Sequence, residues 1–388
     1  MKRRTLLQFG AGLPLALAAA RIRAEDPFWA KVFAIMPEPF AGMSDNPEYR
    51  IQILCQYRRQ GGQWFKHIWQ LKPERWFSTG SVAKLPMALL ACERMATLGL
   101  DLNAQIGFTQ PPIGGEWPDD EPAFESLRRS LTRIFTISEN TPFNRLYDFL
   151  GVDTIHERLA ALGYPAARLI SRMSAPVREN VRTRAGQIRD ERGRVLAEFP
   201  ARTGSPRRFP FGSALTGSGF LRDDGVLEPG PYDFSAANFI ALADSQQMLK
   251  ALIDPASVPA HQRWAIPESM RREVLRIMAM LPRESQDPVY PETEYHDGYA
   301  RFFLIGDSRA RKPEGLHLIG KVGDAYGFAT DVEYITADGS DVECLLSANV
   351  YVNADGIFND DRYEYETLGY PFLASLGRAV WQVLNRPQ

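Results

Sequence analysis

The segment Ser81-Val-Ala-Lys84 sets a hydroxyl and an amine three positions apart. On a helix those positions share a face, so the amine can reach the hydroxyl proton. A serine needs such help to attack a carbonyl carbon. A helix start also offers unpaired N–H groups and a positive dipole end, which favour the oxyanion that the attack creates. Alone, the pattern S-x-x-K says little, because about one arises by chance in a chain of this size.

Two further segments carry compatible chemistry. Ser138-Glu139-Asn140 follows Ser81 by 57 positions, with Thr141 and Asn144 behind it at an expected helix entrance. A hydroxyl and an amide there can face a cleft, although the same residues also make a plain helix cap. Lys321-Val322-Gly323 lies 183 positions beyond Ser138, on a strand-like run ahead of Asp324-Ala325-Tyr326-Gly327. A lysine on an edge strand is ordinarily a solvated charge guarding that edge. Each segment taken singly has a structural explanation; their order and spacing make one constellation.

That constellation resembles the serine β-lactamase and penicillin-binding superfamily, nearest to class A, in which S-x-x-K, S-D-N and K-T-G line one cleft. The resemblance spans most of residues 30–385. It implies Ser81 as the acylated nucleophile, Lys84 as its base or base partner, and Ser138 as the relay that protonates the leaving group. Asn140 would bind substrate or Lys84, Lys321 would supply positive charge, and Gly323 and Asp324 would border the substrate. The N–H groups of Ser81 and Asp324 would form the oxyanion hole. The implied fold is α/β (α+β): an antiparallel five-stranded sheet flanked by N- and C-terminal helices, with an inserted helical lobe. The implied activity is that of a serine hydrolase acting on an amide, a β-lactam or a cell-wall peptide. A D-alanyl peptidase or esterase, and a non-hydrolysing acyl sensor, are the alternatives. No cofactor or metal is implied.

The sequence departs from that pattern in three places. No E-x-x-L-N motif follows Ser138 to supply the glutamate that activates the deacylating water. The matching stretch is Arg168-Leu-Ile-Ser-Arg-Met-Ser-Ala-Pro176, with Met173 or Ser174 where a carboxylate is wanted and Glu179 or Asp233 as remote substitutes. Val322 replaces a hydroxyl residue, Asp324 adds a negative side chain nearby, and no arginine occurs from Gly327 to Thr336. Like charges disfavour a carboxylate substrate, so the expected substrate lacks that group or carries an amine that Asp324 can pair with.

These residues need elements to hold them. Residues 50–59 and 63–71 read as strands joined through Gln60, Gly61 and Gly62, and 316–322, 328–336 and 342–352 as three more. Val82, Leu85, Leu89, Cys92 and Met95 share one helix face that stops near Gly99. A second helix is expected over 140–150, ending at Gly151, and a third over 370–384 packed on the sheet. Strands at both ends of a helical middle predict two lobes, 25–75 with 300–388 and 76–299, with the cleft at their seam. Residues 178–233 read as an elaborated loop insertion with a hairpin at Asp190-Glu191-Arg192-Gly193.

The first 24 residues, with Arg3-Arg4 ahead of an apolar run from Leu6 to Ala20, read as an export signal of twin-arginine or ordinary secretory type. A periplasmic or secreted protein follows, with no other stretch apolar enough to span a bilayer. Without that segment 40 basic side chains face 47 acidic ones, a poor balance for nucleic-acid binding. The expected partner is a small-molecule or peptide-like acyl substrate, and the oligomeric state stays open. Cys55, Cys92 and Cys344 show no metal spacing; a Cys55–Cys344 bridge is conceivable, with buried free thiols the favoured outcome. The five histidines are scattered, which disfavours a Ser-His-Asp triad, and the aromatic residues Tyr290, Tyr295, Tyr299, Phe302 and Phe303 either border the cleft or, as is commoner at this density, belong to the core, and they are given no role.

Overall fold

Five antiparallel strands form the central sheet, in the order Leu316–Ala325, Phe328–Ala337, Val342–Tyr351, Gln52–Arg59, Phe65–Trp69. This computed structural model describes residues 26–113, 121–173, 181–207 and 214–386; the export segment, Ser174 and Glu179 lie outside them. The N-terminal hairpin joins the last three strands through Gln52–Arg59 pairing with Val342–Tyr351, Cys55 opposite Leu346. The sheet therefore closes only after the intervening chain has been placed.

Both faces of the sheet are covered. Ile53, Cys55, Ala329, Ile335 and Leu346 pack with Phe28, Trp29 and Val32 of the helix Pro27–Phe33 and with Phe372, Leu373 and Leu376 of the helix Tyr370–Leu384. Phe328, Val332 and Leu345 point the other way, into a larger core with Leu85, Leu89, Leu131, Phe143 and Leu249. Side chains alternate across a strand, so two covered faces demand near-continuous apolar runs. That is why these strands read clearly from sequence. Gln246, on the helix Leu242–Ile253, ties the second layer to the sheet by donating to Leu54 O at 2.9 Å and Ser347 Oγ at 2.9 Å.

The middle of the chain is not only helical. Phe124–Ser126, Gln105–Phe108, Gly186–Arg189 and Val195–Phe199 form a second sheet of four strands. The last two are the hairpin expected at Asp190–Gly193, but the loop insertion supplies strands instead of irregular chain. Glycines hid them: the Phe199 ring lies where a Cβ on Gly186 would be, and Phe124 does the same over Gly107. An aromatic packed over a strand glycine restores the burial that the glycine forfeits.

Cys55, Cys92 and Cys344 are buried free thiols. Cys55 and Cys344 come within 3.9 Å, Sγ to Sγ, unbridged. Among the described residues, no helix is long and apolar enough to cross a membrane.

Candidate active site

Ser81 does not open an α-helix. It sits in a 3-10 turn, Gly80–Ala83, that runs into the α-helix Lys84–Thr97. Residues three apart eclipse in a 3-10 turn, which stacks Lys84 against Ser81 more directly than an α-helix would. Lys84 Nζ donates to Ser81 Oγ at 2.7 Å.

The same amine holds the second segment. It donates to Asn140 Oδ1 at 2.7 Å, to Ser138 Oγ at 3.2 Å and to the Ser138 carbonyl. Of the two roles open to Asn140, the structure has it on Lys84. Ser138 takes φ 65°, a left-handed conformation that costs a non-glycine residue about 1 kcal/mol. That conformation turns its carbonyl and hydroxyl toward one amine.

The third segment arrives from the sheet. Lys321 Nζ donates to Ser138 Oγ at 2.7 Å, so the hydroxyl accepts from both lysines and keeps its own proton free for another acceptor. Gly323 lies against the nucleophile turn rather than open to the cleft. A Cβ there would fall 2.5 Å from Thr79 O and 2.6 Å from Ser81 N. Gly80 makes the reciprocal contact, since its Cβ would meet Asp324 N at 2.9 Å. The backbones carrying Ser81 and Asp324 are thus pressed together. The Asp324 carboxylate is exposed and accepts from Tyr370 at 3.1 Å.

Burial sets the electrostatics. Lys84 is 0% and Lys321 1% exposed. Loss of water pulls Lys84 down to about 7, against the opposing charges of Asp324 and Glu139. Burial, then Lys84 and Arg301, likewise push Lys321 well below the usual lysine range. Lys84 can therefore serve as a neutral base near physiological pH.

Sequence reasoning missed what holds the Ser138 loop. Glu139 accepts from Tyr290 Oη at 2.9 Å and from Arg133 Nε at 2.8 Å. Arg133 also pairs with Glu121 at 3.0 Å and with the fully buried Glu125. Tyr290 lies 151 positions from Glu139, and no local pattern signals the contact. Replacing Arg133 by methionine strands these buried carboxylates, so a loss of about 3 kcal/mol in urea denaturation is expected; a loss under about 1 kcal/mol would show the cluster to be slack.

On the deacylation side, Asn144 Oδ1 accepts from Met173 N at 2.8 Å while its Nδ2 donates to Met173 O at 2.9 Å. The clamped residue thus carries a thioether. Asp233 instead caps a short turn through Ser235 N at 2.8 Å. Among the described residues, no carboxylate bonds to Ser81 or Lys84. His156 is structural: it accepts Leu169 N at 3.1 Å and also meets the Val152 carbonyl.

A five-stranded sheet with a helical lobe, and these three motifs brought together beside its edge strand, defines the serine β-lactamase and penicillin-binding superfamily. Residues 48–383 match the beta-lactamase enzyme family, and the chain belongs to it. Among solved structures, a beta-lactamase from Sphaerobacter thermophilus is 16% identical, with 92% of this chain and 97% of that chain covered and a TM-score of 0.50. PBP-A is 12% identical, with 93% and 96% covered and a TM-score of 0.50. Both likenesses are of fold. No curated protein matches the chain.

Proposed function

We propose that this protein is an exported serine acyl hydrolase that forms an acyl-enzyme at Ser81. The observation that carries the reading is the convergence of one buried amine, Lys84, on Ser81, Ser138 and Asn140. Neutral Lys84 takes the Ser81 proton as Oγ bonds to the substrate carbonyl carbon. The N–H groups of Ser81 and Asp324 receive the oxyanion. As the tetrahedral adduct collapses, the Ser138 hydroxyl protonates the leaving amine or alkoxide, and the two lysines return a proton to Ser138. The chemistry takes place at the seam between a sheet lobe, 25–75 with 300–388, and a helical lobe, 76–299. The basic and apolar N-terminus supports export.

Water then has to clear the ester, and Met173 in the Asn144 clamp offers it no base. Among the described residues Lys84 is the one base bonded to Ser81, and slow clearance of the acyl-enzyme follows from that. That observation favours, as a second reading, an acyl sensor that holds its adduct.

Two measurements test the acylation step. Incubation with an activated ester such as 4-nitrophenyl acetate should add one acetyl group to the Ser81 peptide and none to a Ser81→Ala protein; equal labelling of both would refute the reading. The acylation rate should also climb with pH and level off above about 7, as Lys84 loses its proton. At pH 6 it should be roughly tenfold slower than at pH 8, and a flat profile would exclude Lys84 as the base.

A further inference from the structure

The side chain of Asp324 has surroundings unlike those of the lysines beside it. Alternation along the edge strand sends Ile319 to the helical-lobe core and Val322 to the core on the opposite face. Asp324 shares its face with Val322. Its carboxylate is exposed and, among the described residues, no basic side chain pairs with it. Among the described residues, the Tyr370 hydroxyl donates to it at 3.1 Å.

A stack of aromatic rings holds that hydroxyl in place. Tyr370 lies between Phe302, 4.3 Å away at 28°, and Tyr365, 5.7 Å away at 8°. The Tyr365 hydroxyl accepts from Gly327 N at 2.8 Å, which fixes the stack to the turn after the edge strand. Tyr299, 42% exposed, meets Tyr295 edge-on at 4.9 Å. After burial, the charge of Asp324 is the next cause raising the phenols of Tyr299, Tyr365 and Tyr370, so all three stand within its field.

Lys84 and Lys321, whose charges Asp324 also feels, are held in the nucleophile cluster, and Arg301 is engaged elsewhere. Arg301 is 2% exposed, gives Nη1 to Ala300 O at 2.7 Å and Nη2 to Met278 O, and holds Nε 3.3 Å from Glu333. Val322 pairs across the sheet with Asp331, a second carboxylate, which accepts Phe302 N and Phe303 N at 2.9 Å each. A carboxylate ligand would meet the repulsion of Asp324 here. A cation would meet an open carboxylate.

Resting on the acyl-enzyme reading above, we propose that Asp324, held by Tyr370, forms a cation subsite that selects acyl substrates carrying an ammonium group a few bonds from the scissile carbonyl. It turns the oxyanion strand into the specificity element as well, because the residue whose N–H meets the oxyanion also carries the selecting charge.

Three 4-nitrophenyl esters of matched length test this: 5-(trimethylammonio)pentanoyl, the neutral isostere 6,6-dimethylheptanoyl, and the monoester of adipic acid. In each, Ser81 Oγ forms the new ester bond as 4-nitrophenolate leaves. The wild-type kcat/KM should favour the cationic ester over the neutral one about tenfold, with adipoyl slowest. Asp324→Asn should bring the cationic-to-neutral ratio toward one, and about 0.5 M salt should shrink it in the wild type. A wild-type ratio of one or less overturns the subsite, as does a ratio that survives Asp324→Asn. If Ser81→Ala releases nitrophenolate from all three as fast as the wild type, the acyl-enzyme reading itself fails. If turnover depends on Ser81 but shows no charge preference, only the subsite fails.

Discussion

Replacing Lys84 by methionine is expected to slow acylation of Ser81 by about a thousandfold or more. The amine is the only described group that bonds to Ser81 Oγ, so without it the hydroxyl keeps its proton. Methionine nearly matches the stem in volume, so the fold should survive, while the stranded acceptors Asn140 Oδ1 and the Ser138 carbonyl should lower stability by about 1–3 kcal/mol. Nitrophenolate release and a melting curve on the same sample separate lost chemistry from lost structure. A loss of under about tenfold with the fold intact would move the base elsewhere.

The second large effect is expected from Gly323→Ala. The added Cβ would lie 2.5 Å from Thr79 O and 2.6 Å from the nitrogens of Ser81 and Val82. All three are backbone atoms, so no side chain can swing aside and the strand must retreat from the nucleophile turn. Retreat separates the N–H groups of Ser81 and Asp324, and oxyanion donors act only within about 3 Å of the developing charge. Acylation should fall about a hundredfold and stability by about 1–3 kcal/mol. Near-normal acylation would mean that these two N–H groups do not act together.

The sheet was legible from the sequence because both of its faces are buried: runs such as Val342–Val352 leave little choice but strand. The helices Asn140–Leu150 and Tyr370–Leu384 followed from periodicity and, for the first, from Gly151 at its end. The second sheet was not legible, because Gly107 and Gly186 weaken its strands locally and their aromatic cover comes from neighbouring strands. Ser81 in a 3-10 turn was likewise missed, since the difference from an α-helix start lies in packing against Gly323 rather than in composition. The motif residues could be picked out by spacing alone. That Lys84 would be buried enough to approach neutrality could not, because its burial comes from segments more than fifty positions away.

The aromatic segment around 290–303 shows the same limit from the other side. Density alone gave Tyr290 and Tyr299 no role beyond core or cleft border. In the structure Tyr290 is buried and braces the Ser138 loop through Glu139, and Tyr299 stays exposed. Partners far apart in sequence, rather than residue type, decide those roles.

The central claim is that acyl transfer passes through Ser81, and intact mass tests it most directly. Wild-type protein mixed with 4-nitrophenyl acetate and sampled over time should gain one acetyl group, located on Ser81 by peptide mapping, and should lose it slowly. Ser81→Ala protein should gain none. Acetylation of the two proteins to the same extent, or a label that maps away from Ser81, would contradict the account.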